Sequence, residues 1–171
     1  MFTLFVRTKT IPADLLTSKL HDEDSFYKAF IHDIRSSERE VIIESPFMTK
    51  ARLDCFIPQF NRLIKRGVKI TVNTRHPRDL DGYMREQAWE AIKTLNKMKV
   101  KVRLYRGMHH RKLAVIDERI VWEGSLNILS QVYSSEIMRR IESPQMAVQL
   151  LRFIHMKSRF RKAYVKHRPS N

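Results

Sequence analysis

The stretch of this chain with the clearest chemical content runs from His110 to Asn127. It reads His110-Arg111-Lys112-Leu113-Ala114-Val115-Ile116-Asp117 and, after six intervening residues, Gly124-Ser125-Leu126-Asn127. In pattern form it is H-x-K-x4-D-x6-G-S-x-N. On an extended backbone, residues two apart face the same way, so an imidazole and an ammonium would share one side. Leu113–Ile116 would be the buried body of a strand, and Asp117 would close it at a turn. A returning strand would bring Gly124, Ser125 and Asn127 back to the end that carries His110, with Gly124 permitting close backbone approach. A nucleophile or base, a fixed cation, a hydroxyl and an amide would then meet in one pocket. Such a set suits a phosphodiester. Lys112 can offset phosphate charge, Ser125 and Asn127 can donate to non-bridging oxygens, and the neutral imidazole of His110, abundant near pH 7, can attack phosphorus. Each residue also has an ordinary reading: an exposed histidine, a strand lysine, a hairpin turn at Asp117-Glu118-Arg119 and a strand end at Gly124-Ser125.

The elements that must position this pocket are legible in the apolar spacing. Phe26, Phe30, Ile31 and Ile34 recur at helical intervals from Ser25, with Asp24 or Ser25 available as N-cap. Val41-Ile42-Ile43 reads as a buried strand closed by Ser45-Pro46. Leu53, Phe56, Ile57, Phe60, Leu63 and Ile64 form an amphipathic helix that Thr49 could cap and Gly67 could end, with a kink or break possible at Pro58. Cys55 falls on the apolar stripe and is expected in the core. Val68–Val72 alternates as a strand, followed by a polar loop from Arg75 to Gly82. A third helix carries Met84, Ala88, Ala91, Ile92 and Leu95. Val100, Val102 and Leu104 form the next strand, and Leu113–Ile116 and Ile120–Trp122 flank the turn at Asp117. Glu136–Ile141 forms a further strand. A long helix starts at Ser143-Pro144, and no acidic residue occurs from there to Asn171. Trp122 is expected to serve packing. This order predicts one domain over residues 1–171: an α/β/α sandwich with a mixed, largely parallel sheet, helices on both faces and a basic C-terminal helix over about 143–168.

The motif resembles the phospholipase D superfamily, also called the HKD family, and the small bacterial single-motif endonucleases within it. His110, Lys112, Asp117, Gly124, Ser125 and Asn127 all match. The resemblance implies an active site in which two such motifs face each other: one histidine attacks to form a covalent phosphohistidine, and the other protonates the leaving oxygen and then activates water. It implies no cofactor and no metal. Neither His155-Met156-Lys157 nor His76-Pro77-Arg78 completes a second motif, so the resemblance further implies a two-fold homodimer with one His110 from each copy. Glu136 falls near where the family carries a glutamate that supports the histidine, though a strand-edge glutamate is an equally simple reading. Arg75, His76 and Arg78, in a loop after a strand, are candidates for the substrate rim. Tyr105, Arg106 and His109 lead into His110 and could flank substrate, and Lys50 and Arg52 could meet phosphates.

Composition narrows the substrate. The 171 residues include 33 Lys and Arg against 18 Asp and Glu, a formal net charge of +15. Such a surface attracts polyanions, nucleic acid first and anionic membrane second. A single cysteine excludes an internal disulfide and thiolate zinc sites, and a reducing, cytoplasmic compartment is expected. The apolar start Met1–Val6 breaks at Arg7, and no window has the length of a membrane span, so stable membrane insertion is not expected. The leading expectation is a metal-independent endonuclease acting on DNA or RNA. A phospholipid phosphodiesterase and a catalytically silent nucleic-acid-binding dimer are the alternatives. The C-terminal basic run fits either a phosphate-binding flank or a solvated helix face.

Overall fold

The computed structural model describes residues 18–130 and 134–166, with side chains described as far as residue 155. The apolar start Met1–Val6 and the basic side chains of Lys157, Arg159, Arg161, Lys162, Lys166 and Arg168 lie outside the described residues. The elements run β1 (Lys19–Asp22), α1 (Glu23–Arg35), β2 (Glu40–Glu44), α2 (Lys50–Lys65), β3 (Lys69–Arg75), a 3-10 turn (Pro77–Asp79), α3 (Gly82–Lys97), β4 (Lys101–Tyr105), β5 (Leu113–Ile116), β6 (Ile120–Gly124), β7 (Ile137–Glu142) and α4 (Pro144–Lys166).

Local sequence explains most of these boundaries. Helix α1 is capped by Asp22, whose carboxylate accepts from the Ser25 amide at 2.9 Å while the Ser25 hydroxyl accepts from the Asp22 amide at 3.2 Å, a reciprocal capping box. The cap therefore lies two to three residues earlier than the expected Asp24 or Ser25. Thr49 caps α2 as expected. That helix continues through Pro58 without a break, the proline lying on its exposed side. Gly67 follows it at φ +80°, the left-handed backbone that a helix C-terminus often needs. Cys55 is exposed rather than in the core, because its flank of α2 turns to solvent beside buried Phe56.

The seven strands form one sheet in the order β1-β7-β6-β5-β2-β3-β4. Period-two alternation divides its side chains between two apolar layers. Val41, Ile43, Ala114, Ile116, Ile120 and Trp122 face α1, α2 and α3 with Phe26, Phe30, Phe56 and Phe60. Ile42, Val115, Val121 and Ile141 face α4 through Ala147 and Leu151. Helices thus cover both faces and the sheet is mixed, as expected. Its expected largely parallel character is corrected: only β2–β3 and β3–β4 pair in parallel, and the other four pairings are antiparallel. The reason is the loss of crossover helices after β4. Among the described residues no helix joins β5 to β6 or β6 to β7, and a connection without a crossover helix returns a strand antiparallel. Trp122 packs as expected, fully buried, with its indole nitrogen donating to Asp33 at 2.8 Å.

Candidate active site

At one end of the sheet, the C-terminal ends of β2 and β3 meet the N-terminal end of β5. The segment from Arg106 to Lys112 crosses from β4 over this end without regular structure, and then enters β5. Its alternation decides what each residue does. His110 and Lys112 turn to one side, and Lys112 Nζ lies 2.7 Å from His110 Nδ1 and 3.4 Å from Nε2. An ammonium can only donate, so Nδ1 accepts in this arrangement and the ring is neutral. Partial burial pushes the His110 imidazole below its usual value of 6.5, and the nearby charges of Lys112 and Arg75 push the same way. Burial likewise lowers Lys112, with Arg75 adding to the effect and Glu136 opposing it. The His110 shift favours a histidine that is unprotonated and nucleophilic near neutral pH.

The hairpin brings back the second half of the motif. Glu123 pairs with Leu113, and the Gly124 amide donates to the Lys112 carbonyl at 3.3 Å. A side chain at Gly124 would collide with the Ile137 carbonyl and the Met138 sulfur, so its close backbone approach is to β7 of its own chain. Ser125 follows, exposed, its amide donating to Ile137 O at 2.9 Å and its hydroxyl accepting from Ile137 N at 3.1 Å. Asn127 lies in the next loop, and its buried Oδ1 has no hydrogen-bond partner among the described residues. That loop is tied down where Leu129 N donates to Ser45 Oγ at 3.1 Å and Thr49 N to Leu129 O at 2.9 Å. Glu136, whose Oε1 accepts from Ser134 Oγ at 2.8 Å, is close enough to Lys112 to raise its pKa.

Of the other expected residues, Arg75 is the most altered by the structure. It is the last residue of β3, only 7% exposed, rather than part of a loop. Its Nε and Nη2 donate to the His109 carbonyl at 3.2 and 3.1 Å, and its guanidinium lies 4.9 Å from the centre of the Phe47 ring. Phe47 in turn stands edge-on to His110, 6.2 Å between centres. His109 is buried and stacks on Tyr105 at 4.8 Å. Arg78 is exposed on the 3-10 turn, and Arg106 is held at 3.1 Å by Asp79, which also accepts from Gly107 N, so these two belong to a rim group around that turn. Lys50 is paired with Asp54 at 2.6 Å, and Arg52 stacks over Tyr27 at 4.0 Å.

Asp117 is not brought to the site. It stands at the opposite end of β5, at φ +53°, roughly 16 Å of strand from Lys112 at ~3.3 Å per residue. Its carboxylate accepts from the amides of Glu38, Arg39 and Glu40 and from the Ser37 hydroxyl, each at 2.9 Å. Partial burial pushes this carboxyl up, but the hydrogen bonds from Glu40, Glu38, Arg39 and Ser37 outweigh it, and the net pKa is lowered. The catalytic role expected for Asp117 is therefore corrected to a structural one. Spacing alone missed Glu44 and Phe47. Glu44 is fully buried and bonded by Arg111 and Asn73. A charged residue closing an apolar strand just before Ser45-Pro46 was the available signal.

Residues 30–157 match the family described as cardiolipin synthase, PLD-like domain. The chain belongs to this phospholipase D-like family. Among solved structures, this PLD-like chain is similar to NucT from Helicobacter pylori, with 18% identity, a TM-score of 0.66, and 81% of this chain and 93% of that one covered. It is similar to the phospholipase D family member Nuc from Salmonella typhimurium, with 16% identity, a TM-score of 0.66, and 85% and 94% covered. TrmBL2, an archaeal chromatin protein, aligns at 14% identity and a TM-score of 0.52, over 94% of this chain and 55% of that one. At these identities the likeness is one of fold. No curated protein matches the chain in sequence. Among the described residues, no group of three or more His, Cys, Asp or Glu could hold a metal ion, and no helix is long and apolar enough to cross a membrane.

Proposed function

We propose that this PLD-like protein is an endonuclease that hydrolyses phosphodiesters of DNA or RNA through His110, in a site shared by two copies of the chain. The observation that carries this reading is the His110 ring held 2.7 Å from Lys112 Nζ on the same side of the strand entry, with burial lowering the pKa of both groups. A phosphodiester entering the site draws the ammonium onto its oxygens and leaves the ring lone pair facing phosphorus. The ring nitrogen attacks, a P–N bond forms and the P–O bond to the leaving group breaks. The leaving oxygen takes a proton from the second copy's His110, whose ring takes that proton up from water when the phosphodiester anion sits beside it. Water then attacks phosphorus and gives its proton to that same ring, now neutral, and the P–N bond breaks. Ser125 and Asn127 donate to the non-bridging oxygens, and Glu136 supports the Lys112 side of the pocket. A net charge of +15 favours a polyanion over a zwitterionic lipid, since each phosphate contact releases counterions. The alignments cover 93% of NucT and 94% of Nuc, which supports a PLD-like fold of similar extent.

The test is to incubate the protein with plasmid, single-stranded DNA, RNA and phosphatidylcholine vesicles in excess EDTA, beside His110→Ala. Nucleic-acid cleavage that survives chelation and vanishes in the variant supports the proposal. Choline release without nucleic-acid cleavage replaces it with a phospholipase reading, and salt-sensitive binding without turnover replaces it with a binding module. Sedimentation at assay concentration tests the shared site: a fully active monomer contradicts it.

A further inference from the structure

The residues that alternate with His110 and Lys112 point the other way, into a buried polar cluster. At its centre is Glu44, the last residue of β2, with no exposed surface. A carboxylate buried to this degree is strongly destabilising unless it is paired and hydrogen-bonded. Here Arg111 meets it with two donors, Nε on Oε2 and Nη2 on Oε1 at 3.1 Å. Asn73, its neighbour in the β2–β3 register, donates to Oε1 at 2.9 Å. His109 Nε2 lies 3.8 Å from Oε2. Two residues along the same face of β3, Arg75 grips the His109 carbonyl with two further donors.

These contacts fall on both sides of His110. The segment 106–112 belongs to no strand or helix, and around His110 its backbone bonds are few, the His109 amide on the Gly107 carbonyl and the Gly124 amide on the Lys112 carbonyl. Arg75 holds the carbonyl of residue 109, which is the peptide leading into His110, and Glu44 holds the side chain of residue 111. Glu44 is also the register partner of Leu113, where the segment enters β5. We infer that Glu44 is a positioning residue, a buried anion that locks Arg111 and, together with Arg75 on residue 109, presents the His110 imidazole in one orientation. Arg111 is then a strut whose charge is already spent on Glu44. Because reacting atoms must be held within fractions of an ångström, loosening this anchor lowers the rate of attack more than it lowers substrate binding.

This inference rests on His110 being the attacking group, and its test separates the two ideas. Compare wild type, Glu44→Gln, Arg111→Lys, Arg111→Gln and the charge-balanced pair Glu44→Gln with Arg111→Gln. Measure thermal unfolding, kcat and KM on whichever substrate the wild type cleaves, and the ring resonances of His110, assigned by their loss in His110→Ala. Glu44→Gln is expected to lower kcat about 10- to 100-fold with KM within about twofold, and to shift or broaden the His110 signals. Arg111→Lys, which keeps the charge but not the two-pronged contact, is expected to move both readouts in the same direction by less. The pair should lose no more than the worse single variant, because both residues act through one contact. Folded Glu44→Gln protein with wild-type kcat and an unchanged His110 spectrum overturns the inference while leaving the nuclease reading intact. If no substrate is cleaved by wild type, the nuclease reading fails, and the His110 spectrum alone decides the positioning claim. If Glu44→Gln does not fold, Arg111→Lys carries the same two readouts, and wild-type values in it overturn the inference.

Discussion

Strand β5 is only four residues long, and the two polar residues that bound it, Lys112 and Asp117, do opposite work. At the Asp117 end every acceptor is used. One carboxylate takes three amides and a hydroxyl, and so pins the loop between α1 and β2 to the β5–β6 turn. At the Lys112 end the side chains are underused. Lys112 and His110 have mainly each other, and Asn127 leaves a buried oxygen without a partner. The first end is a joint that is complete in the folded chain. At the second, the Lys112 ammonium keeps donors that an incoming phosphate would take up, whereas the Asn127 oxygen can only accept and so calls for a donor; burial, with the Arg75 charge adding to it, lowers both His110 and Lys112. A single sequence motif therefore spans a structural end and the end we propose to be catalytic, and substitutions at the two should separate activity from stability.

The largest separation comes from His110→Ala. It should abolish phosphodiester cleavage by at least about 10⁴-fold, since no other group supplies the nucleophile, while the melting temperature stays within experimental error. Lys112→Met comes next. Loss of the fixed cation should lower kcat by about 10² to 10³-fold, measured at constant ionic strength, again with little change in melting.

At the other end, Asp117→Ala should reverse the pattern. It removes four hydrogen bonds to one carboxylate and puts alanine at a left-handed φ, so denaturant unfolding should show a loss of about 2–3 kcal/mol while kcat of the folded fraction is retained. Asp117→Asn, which tolerates that backbone and keeps one acceptor oxygen, should lose less. The pH dependence follows from the sign of the shift. The Asp117 pKa is lowered in the folded chain, so its contribution is present above the unfolded value near 3.8 and is lost as pH falls through the folded value. Asp117→Asn should flatten that acid limb of stability. The smallest effect concerns catalysis. Because the His110 pKa is lowered, the acid limb of kcat/KM should lie below 6.5, and Lys112→Met, by removing one of the cations that lowers it, should move the limb upward.

The sequence was most informative where one property repeats locally. The helical stripe of Phe26, Phe30 and Ile34, the alternation along β5 and β6, and the two-residue spacing of His110 and Lys112 all led to elements and a contact that the fold shows. It was least informative where a residue's role depends on a partner distant along the chain. Asp117 reads the same whether a turn carboxylate faces substrate or the amides of residues 38–40, and only the fold, which seats β2 beside β5, decides between them. Glu44 looks like the solvated end of a strand until Arg111, 67 positions later, is found against it. Arg75 follows the apolar alternation of Val68–Val72 and reads as a loop residue, yet β4 carries the ladder to its end by pairing Arg75 with Tyr105. Strand direction was equally hidden, since apolar alternation marks a strand but not its neighbour's polarity.

The account turns on a bond between His110 and phosphorus. A radiolabelled oligonucleotide of whichever type is cleaved, mixed with excess protein and stopped within milliseconds to seconds in alkaline detergent, where phosphohistidine survives, tests it directly. A transient labelled protein band that rises and decays with turnover, maps to the peptide containing His110 and is missing in His110→Ala is the predicted result. Efficient cleavage with no labelled protein at any time, or the same band in His110→Ala, contradicts it.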